Sequence, residues 1–152
     1  MNMQPPHPAR QLATRSRRAD RYGDLLLLTS RILMALIFVA AGADKIGRYG
    51  ATVAMMEAAG VSGVLLPAVI ALELGGGLAI LLGASTRLAA TALAMFCVVS
   101  AILFHHHLGD ATQAAMFMKN LAMAGGFLAL AVAGAGTISI DARQRPARTG
   151  PP

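Results

Sequence analysis

Tryptophan is absent from the sequence, and cysteine occurs once, at Cys97. A lone thiol closes no internal disulfide and forms no CxxC pair, so dithiol chemistry within this chain is excluded. Charge is scarce as well: 13% of the 152 residues are charged and 56% are apolar. Small soluble domains need a largely polar exterior, because surface outweighs interior at this size. This composition, with a mean hydropathy of +0.61, does not supply one. Acidic residues are the rarer sign, seven against thirteen Lys and Arg, and the net charge is +6. In a soluble chain that balance would suggest nucleic acid. No basic–aromatic stripe accompanies it here, so no nucleic-acid partner is expected. The positive charge lies mostly at the two ends, as in a chain oriented by the positive-inside rule against anionic lipid.

Long apolar runs are what the sequence has in abundance. They extend over Leu25–Ala43, Val64–Gly83, Leu88–Phe104 and Ala114–Gly136. At a rise of 1.5 Å per residue, roughly 20 residues cross the ~30 Å hydrocarbon layer. Each run comes close to that length; the third is the shortest, and its helix is extended by the histidines that follow if it is to span fully. The runs are continuous rather than alternating, which argues against a β-barrel. The expected fold is all-α, a four-helix transmembrane bundle. Residues 25–141 form the membrane domain, flanked by disordered basic tails at 1–24 and 142–152. Nine Lys and Arg (the N-terminal tail, Arg87 and the C-terminal tail) face two, Lys45 and Arg48, in the loop of residues 44–63. That count puts both termini in the cytoplasm. A cleaved signal peptide at Ala41-Gly42-Ala43 is the competing reading, but the preceding run is too long for an ordinary signal core and three more spans follow.

Polar residues inside the runs are the candidate site. Glu73 stands at the centre of the second run, where an unpaired charge costs ~2.5–3.5 kcal/mol on insertion scales. It must be paired, protonated or beside water. Arg31, near the cytoplasmic end of the first run, either snorkels outward or reaches inward to Glu73. Asp44 and Lys45 close the first run. Lys45 then sits near a helix C-terminus, and Asp44 is either an ordinary end residue or a partner of Lys119. Lys119 and Asn120 enter the fourth run near its outer end. Two readings stay open: buried pairs that pin helix register, or a polar pocket with Glu73 as a proton-active carboxyl. His105, His106 and His107 project about 100° apart if helical, so they do not share one metal, and no metal site is expected. One of them turned into the bundle as an acid–base or hydrogen-bonding group is the favoured reading. Gly75-Gly76-Gly77 and Gly125-Gly126 allow close helix packing, and Cys97 and the methionines read as core.

Taken in order, these residues resemble the DoxX family of bacterial four-helix membrane proteins. The resemblance rests on Arg31-Ile32-Leu33 leading to Gly42 and Lys45, then Glu73-Leu74-Gly75-Gly76, Gly83 and Thr86-Arg87. It continues through Phe104-His105, Phe117-Met118-Lys119-Asn120-Leu121, Gly125-Gly126, Gly134-Ala135-Gly136 and Ser139-Ile140-Asp141. It covers about residues 25 to 141. The run of three histidines departs from the family pattern, in which one histidine is followed by a bulky aromatic. The family takes its name from a likeness to a small subunit of an archaeal thiosulfate:quinone oxidoreductase. The resemblance therefore implies a bacterial inner-membrane protein, a non-autonomous subunit of a membrane redox or oxidative-stress assembly, in contact with quinone. The polar-core residues Arg31, Asp44, Lys45, Glu73, His105, Lys119 and Asn120 would be its ligand-binding candidates. No catalytic residue is assigned, because no nucleophile–base pair or cofactor motif is visible. The expected partners are the bilayer, other membrane redox proteins and a second copy of the chain. Two alternatives remain: a non-catalytic scaffold, and a small-solute or proton-coupled carrier with Glu73 at a dimer interface.

Overall fold

The computed structural model describes the backbone of residues 8–144 and the side chains of residues 21–144. The ends of the two basic tails, 1–7 and 145–152, lie outside the described residues, as do the side chains of Arg10, Arg15, Arg17 and Arg18.

Helix α1 spans Pro8–Gly47. Its start lies within the segment expected to be a disordered tail. Pro8 suits the first position of a helix, and the residues after it, Ala9, Arg10, Gln11, Leu12 and Ala13, are strong helix formers with no further proline before Pro67. The chain breaks at Arg48 and resumes as α2, Tyr49–Ala58. This helix lies within a segment that the sequence suggested was a loop. It ends at Ala58, and Gly60 beyond it adopts φ +75. A 3-10 turn over Gly63–Leu65 then leads into α3, Leu66–Leu82, with Pro67 in its first turn. Helix α4 spans Thr86–Phe104, α5 spans Ala111–Ala133, and a single turn, α6, covers Ile140–Arg143. The histidines do not prolong α4; they form the link to α5, whose start Asp110 caps by accepting from the Gln113 amide at 2.8 Å.

Among the described residues, four helices are long and apolar enough to cross a membrane: Arg21–Gly47, Gly63–Leu82, Thr86–Phe104 and Ala111–Ala133. The expected four-helix transmembrane bundle is the fold observed. Helix α1 packs along α3, α4 along α5, and α3 joins the two pairs through α4. The core between them is built from Ala35, Phe38, Ile80, Leu93, Cys97 and Phe127. The Phe38 and Phe127 rings meet edge-to-face, centroids 5.3 Å apart. The outer faces carry large apolar side chains such as Leu33, Leu88 and Val132, as a lipid-facing surface requires. Small residues let α1 and α3 approach closely. A β-carbon placed on Gly42 would come within 2.7 Å of the Leu74 side chain, and one on Gly77 within 3.0 Å of Val39.

Candidate functional site

The polar residues gather at opposite ends of the bundle. One end holds Arg31, the α3–α4 turn and the segment after α5. The other holds Lys45, α2 and the histidine link.

At the first end Arg31 is 1% exposed. Its Nε donates to the Ile80 carbonyl at 2.9 Å and its Nη2 to that of Leu81 at 2.7 Å. Its Nη1 donates to the carbonyls of Ala135 and Ile138, at 2.7 and 2.8 Å. The last carbonyls of a helix lack partners within it, and a guanidinium fork at the negative end of the helix dipole satisfies them. Asp141 works from the other side of the same turn. Its carboxylate accepts from the backbone of Ser85 at 2.7 Å and of Thr86 at 2.9 Å, at the start of α4. Gly83, at φ +68, allows the turn: a β-carbon there would meet Ser139 at 2.5 Å and Arg31 at 2.8 Å. Arg31 therefore neither snorkels nor reaches Glu73. Every donor it directs goes to backbone, and it belongs to the frame rather than to the site.

At the second end Glu73, in the middle of α3, is 3% exposed. Its partner is Lys45 in the last turn of α1. Nζ lies 2.9 Å from Oε1 and 2.8 Å from Oε2. The ammonium thus stands within hydrogen-bond reach of both carboxylate oxygens. The close approach at Gly42 sets this contact, since a β-carbon there would also press on the Glu73 side chain at 3.3 Å. Burial of one charge would be costly, and the pairing offsets that cost.

Two adjoining cavities meet at this pair. The smaller, about 150 Å³, is lined by Lys45, Glu73, Ser100, His105, Lys119 and Asn120 among others. The larger, about 340 Å³, is bounded by Lys45, Glu73 and His105 at its polar end and otherwise mainly by apolar side chains, including Met56, Phe96, Leu103 and Phe104. Helix α2 supplies Thr52, Met55 and Met56 to its wall. These three lie at i, i+3 and i+4, one face of a helix. His105 Nδ1 is 2.8 Å from Gln113 Oε1. With that oxygen as acceptor, the proton sits on Nδ1 and the lone pair on Nε2. The Asn120 amide donates to the Met116 carbonyl at 3.0 Å, and Lys119 Nζ lies 3.4 Å from the Met116 sulfur. His106 and His107 are exposed, with their rings 4.1 Å apart.

Five of the seven residues read from the sequence thus line one site: Lys45, Glu73, His105, Lys119 and Asn120. Arg31 does not. Neither does Asp44, which binds Arg48 one turn on, with Oδ2 2.6 Å from Nη2, and leaves Lys119 alone. Both misplacements arise from helix azimuth and depth. Arg31 and Lys45 stand about 21 Å apart along α1 at 1.5 Å per residue, and a linear list of charges does not say which of them faces Glu73. The apolar lining was missed altogether. Its one sequence signal is the apolar face of Met55 and Met56, between the break at Arg48 and the turn at Gly60.

The DoxX family model matches residues 26–106. That stretch contains Arg31, Lys45, Glu73 and His105 and ends before Lys119 and Asn120. The chain is 50% identical over 118 residues to the inner membrane protein YqjF of Escherichia coli strain K12, an alignment covering 78% of this chain and 91% of that protein. It is 37% identical over 126 residues to the inner membrane protein YphA of the same strain, covering 78% and 90%. No solved structure matches.

Proposed function

We propose, for a chain that belongs to the DoxX family, that it is an inner-membrane subunit of a redox assembly and holds a quinone headgroup beside Lys45 and Glu73. The observation that carries this reading is an ion pair between half-buried Lys45 and buried Glu73, set in the wall of an apolar cavity of about 340 Å³. Small-molecule sites have this character, an apolar lining with a few convergent polar groups, and volumes of roughly 300–1,000 Å³. Lys45 would donate to a ring oxygen, and Met56, Phe96 and Phe104 would pack against the ring and the start of its tail. A quinone supplies the capacity to carry two electrons with two protons. This chain, with one cysteine and no cofactor motif, leaves electron delivery to a partner protein. The location follows from the relatives, both named inner membrane proteins. The orientation, with both termini cytoplasmic, follows from the Lys and Arg count.

The test is binding. The full chain, purified in mild detergent, is extracted for quinone and titrated with a decyl-substituted benzoquinone. The expected result is near-stoichiometric binding that weakens at least tenfold in Lys45→Met. A chain that copurifies with no quinone and binds none at saturation would overturn the reading.

A scaffold is the second reading, favoured by the mutual satisfaction of Lys45 and Glu73. It predicts that the double variant Lys45→Met/Glu73→Gln keeps every partner and every phenotype. The carrier reading requires Glu73 at an interface between subunits, and a side chain 3% exposed within one protomer opposes it.

A further inference from the structure

Helix α2 lies over the larger cavity with little to hold it there. Of its ten residues only Met56 is buried, and only Thr52 and Val53 are half-buried. Thr52, Met55 and Met56 form part of the wall of the 340 Å³ cavity. Among the described residues no side-chain hydrogen bond or ion pair joins α2 to α3, α4 or α5; the Thr52 hydroxyl turns back to the Arg48 carbonyl at 3.0 Å. Both ends of the helix are jointed. The chain leaves α1 through Gly47 and the non-helical Arg48, at φ −119 and ψ 39. It turns back through Gly60 at φ +75. Such end positions absorb the backbone rotation when an element moves as a body. A surface groove of about 240 Å³ lies at the first joint, lined by Asp44, Lys45, Arg48, Ala51, Thr52 and Met55. Lys45, Thr52 and Met55 also line the cavity, so the two spaces share a wall.

We infer that α2 is a lid on the cavity, and that an apolar ligand passes between the bilayer and the cavity through the groove at its base when the lid tilts. The inference rests on the reading that this cavity is a ligand site. Helix α2 follows directly on a span that ends at Gly47, so it stands at the bilayer interface, where a lipid-soluble molecule arrives from the side. The threshold suits such a molecule. Thr52 has its hydroxyl satisfied one turn back, and Met55 is an unbranched thioether with three rotatable bonds that yields to a passing ring. Tilting undoes only apolar contacts, those of Met56 in the cavity and of Val53 against Gly63. Lys45 and Glu73 keep their places on α1 and α3 throughout. The lid therefore sets the rate of exchange and leaves the affinity to the closed site.

The contact between Val53 and Gly63 supplies a lock. A β-carbon on Gly63 would stand 3.4 Å from that of Val53, just short of the ~3.5–4.5 Å at which cysteines bridge. The experiment uses the full chain in lipid nanodiscs, carrying Val53→Cys/Gly63→Cys in a Cys97→Ala background. It is studied oxidised, and again after reduction with a phosphine that is then washed out. Exchange of a radiolabelled decyl-substituted benzoquinone gives the dissociation rate, and equilibrium titration gives the affinity. The oxidised form is expected to exchange about tenfold more slowly than the reduced form or slower still, with the two affinities within about threefold. Equal rates in the two forms, with the quinone bound, would overturn the inference and leave the function reading standing. Slower exchange matched by equally tighter binding would place the effect in the closed site and overturn it as well. Failure of the quinone to bind either form or the wild-type chain would overturn both readings. If the pair does not bridge or the variant does not fold, Met56→Cys in the Cys97→Ala background decides. Its buried thiol is expected to react with N-ethylmaleimide in the folded protein, and a thiol that reacts only after unfolding would overturn the lid.

Discussion

Arg31 and Lys45 are both basic residues on α1, yet their work differs in kind. Arg31 binds backbone, four carbonyls on two segments. Replacing it by Met strands those acceptors in a buried site, and a loss of about 3 kcal/mol or more is expected. Arg31→Lys should recover only part of that, because one ammonium does not reproduce a planar fork aimed at two sides. Thermal unfolding in detergent, followed by circular dichroism, checks both. Lys45 binds one carboxylate. Lys45→Met leaves Glu73 unpaired within a span and should cost roughly 2.5–3.5 kcal/mol. Adding Glu73→Gln should return most of it, so the double variant is expected to melt above Lys45→Met alone. A double-mutant cycle with no coupling would show that the pair is not energetically linked. The sequence announced Glu73 as a residue in need of a partner, from its position in an apolar run alone. It pointed to Arg31 where the structure has Lys45, because both cations lie on one helix and only the packing of α1 on α3 chooses between them.

At the scale of elements, the legible features were those that depend on composition along the chain. The four spans were evident from run length, and the Asp110 and Pro67 boundaries agree with ordinary capping preferences. Helix α2 was hidden because it is short and its loop is only partly apolar. Its importance comes from tertiary position, over the larger cavity. The approach of α1 to α3 was readable only as a tendency of glycines to sit at helix contacts. The structure singles out Gly42, where side-chain volume would push against Leu74 and Glu73. Gly42→Val is therefore expected to part these helices. The protein should lose about 1–3 kcal/mol of stability, the usual range for overpacking, and bind the decyl quinone at least tenfold more weakly. Retained binding together with reduced stability would show that the ion pair tolerates the displacement. A similar change at Gly75, where the added carbon meets nothing within 4 Å, should leave both properties unchanged.

For the whole molecule, the polar groups are sorted by end. Arg21, Arg87 and Arg143 belong to the end framed by Arg31, while the larger cavity lies at the end of the histidine link, with His105 in its wall. The proposed orientation then places the cavity on the periplasmic side. In a Cys97→Ala background, Gly109→Cys is expected to react with a membrane-impermeant maleimide in spheroplasts, and Arg143→Cys only after lysis. The reverse pattern would invert the protein and place the cavity on the cytoplasmic face. Orientation is the property for which the sequence is the better guide, since it depends on charge counted over loops and tails rather than on any contact.

The clasp around Arg31 also has a history written into it. Its acceptors lie 49 and 50 residues downstream in α3, and 104 and 107 residues downstream beyond α5. Synthesis runs from the N-terminus, so the first helix enters the bilayer with a guanidinium whose acceptors have yet to be translated. Two of them arrive with α3, and the other two only with the segment that follows α5. The segment after α5 thus closes the first span, and a chain cut before it would lack two of the four acceptors.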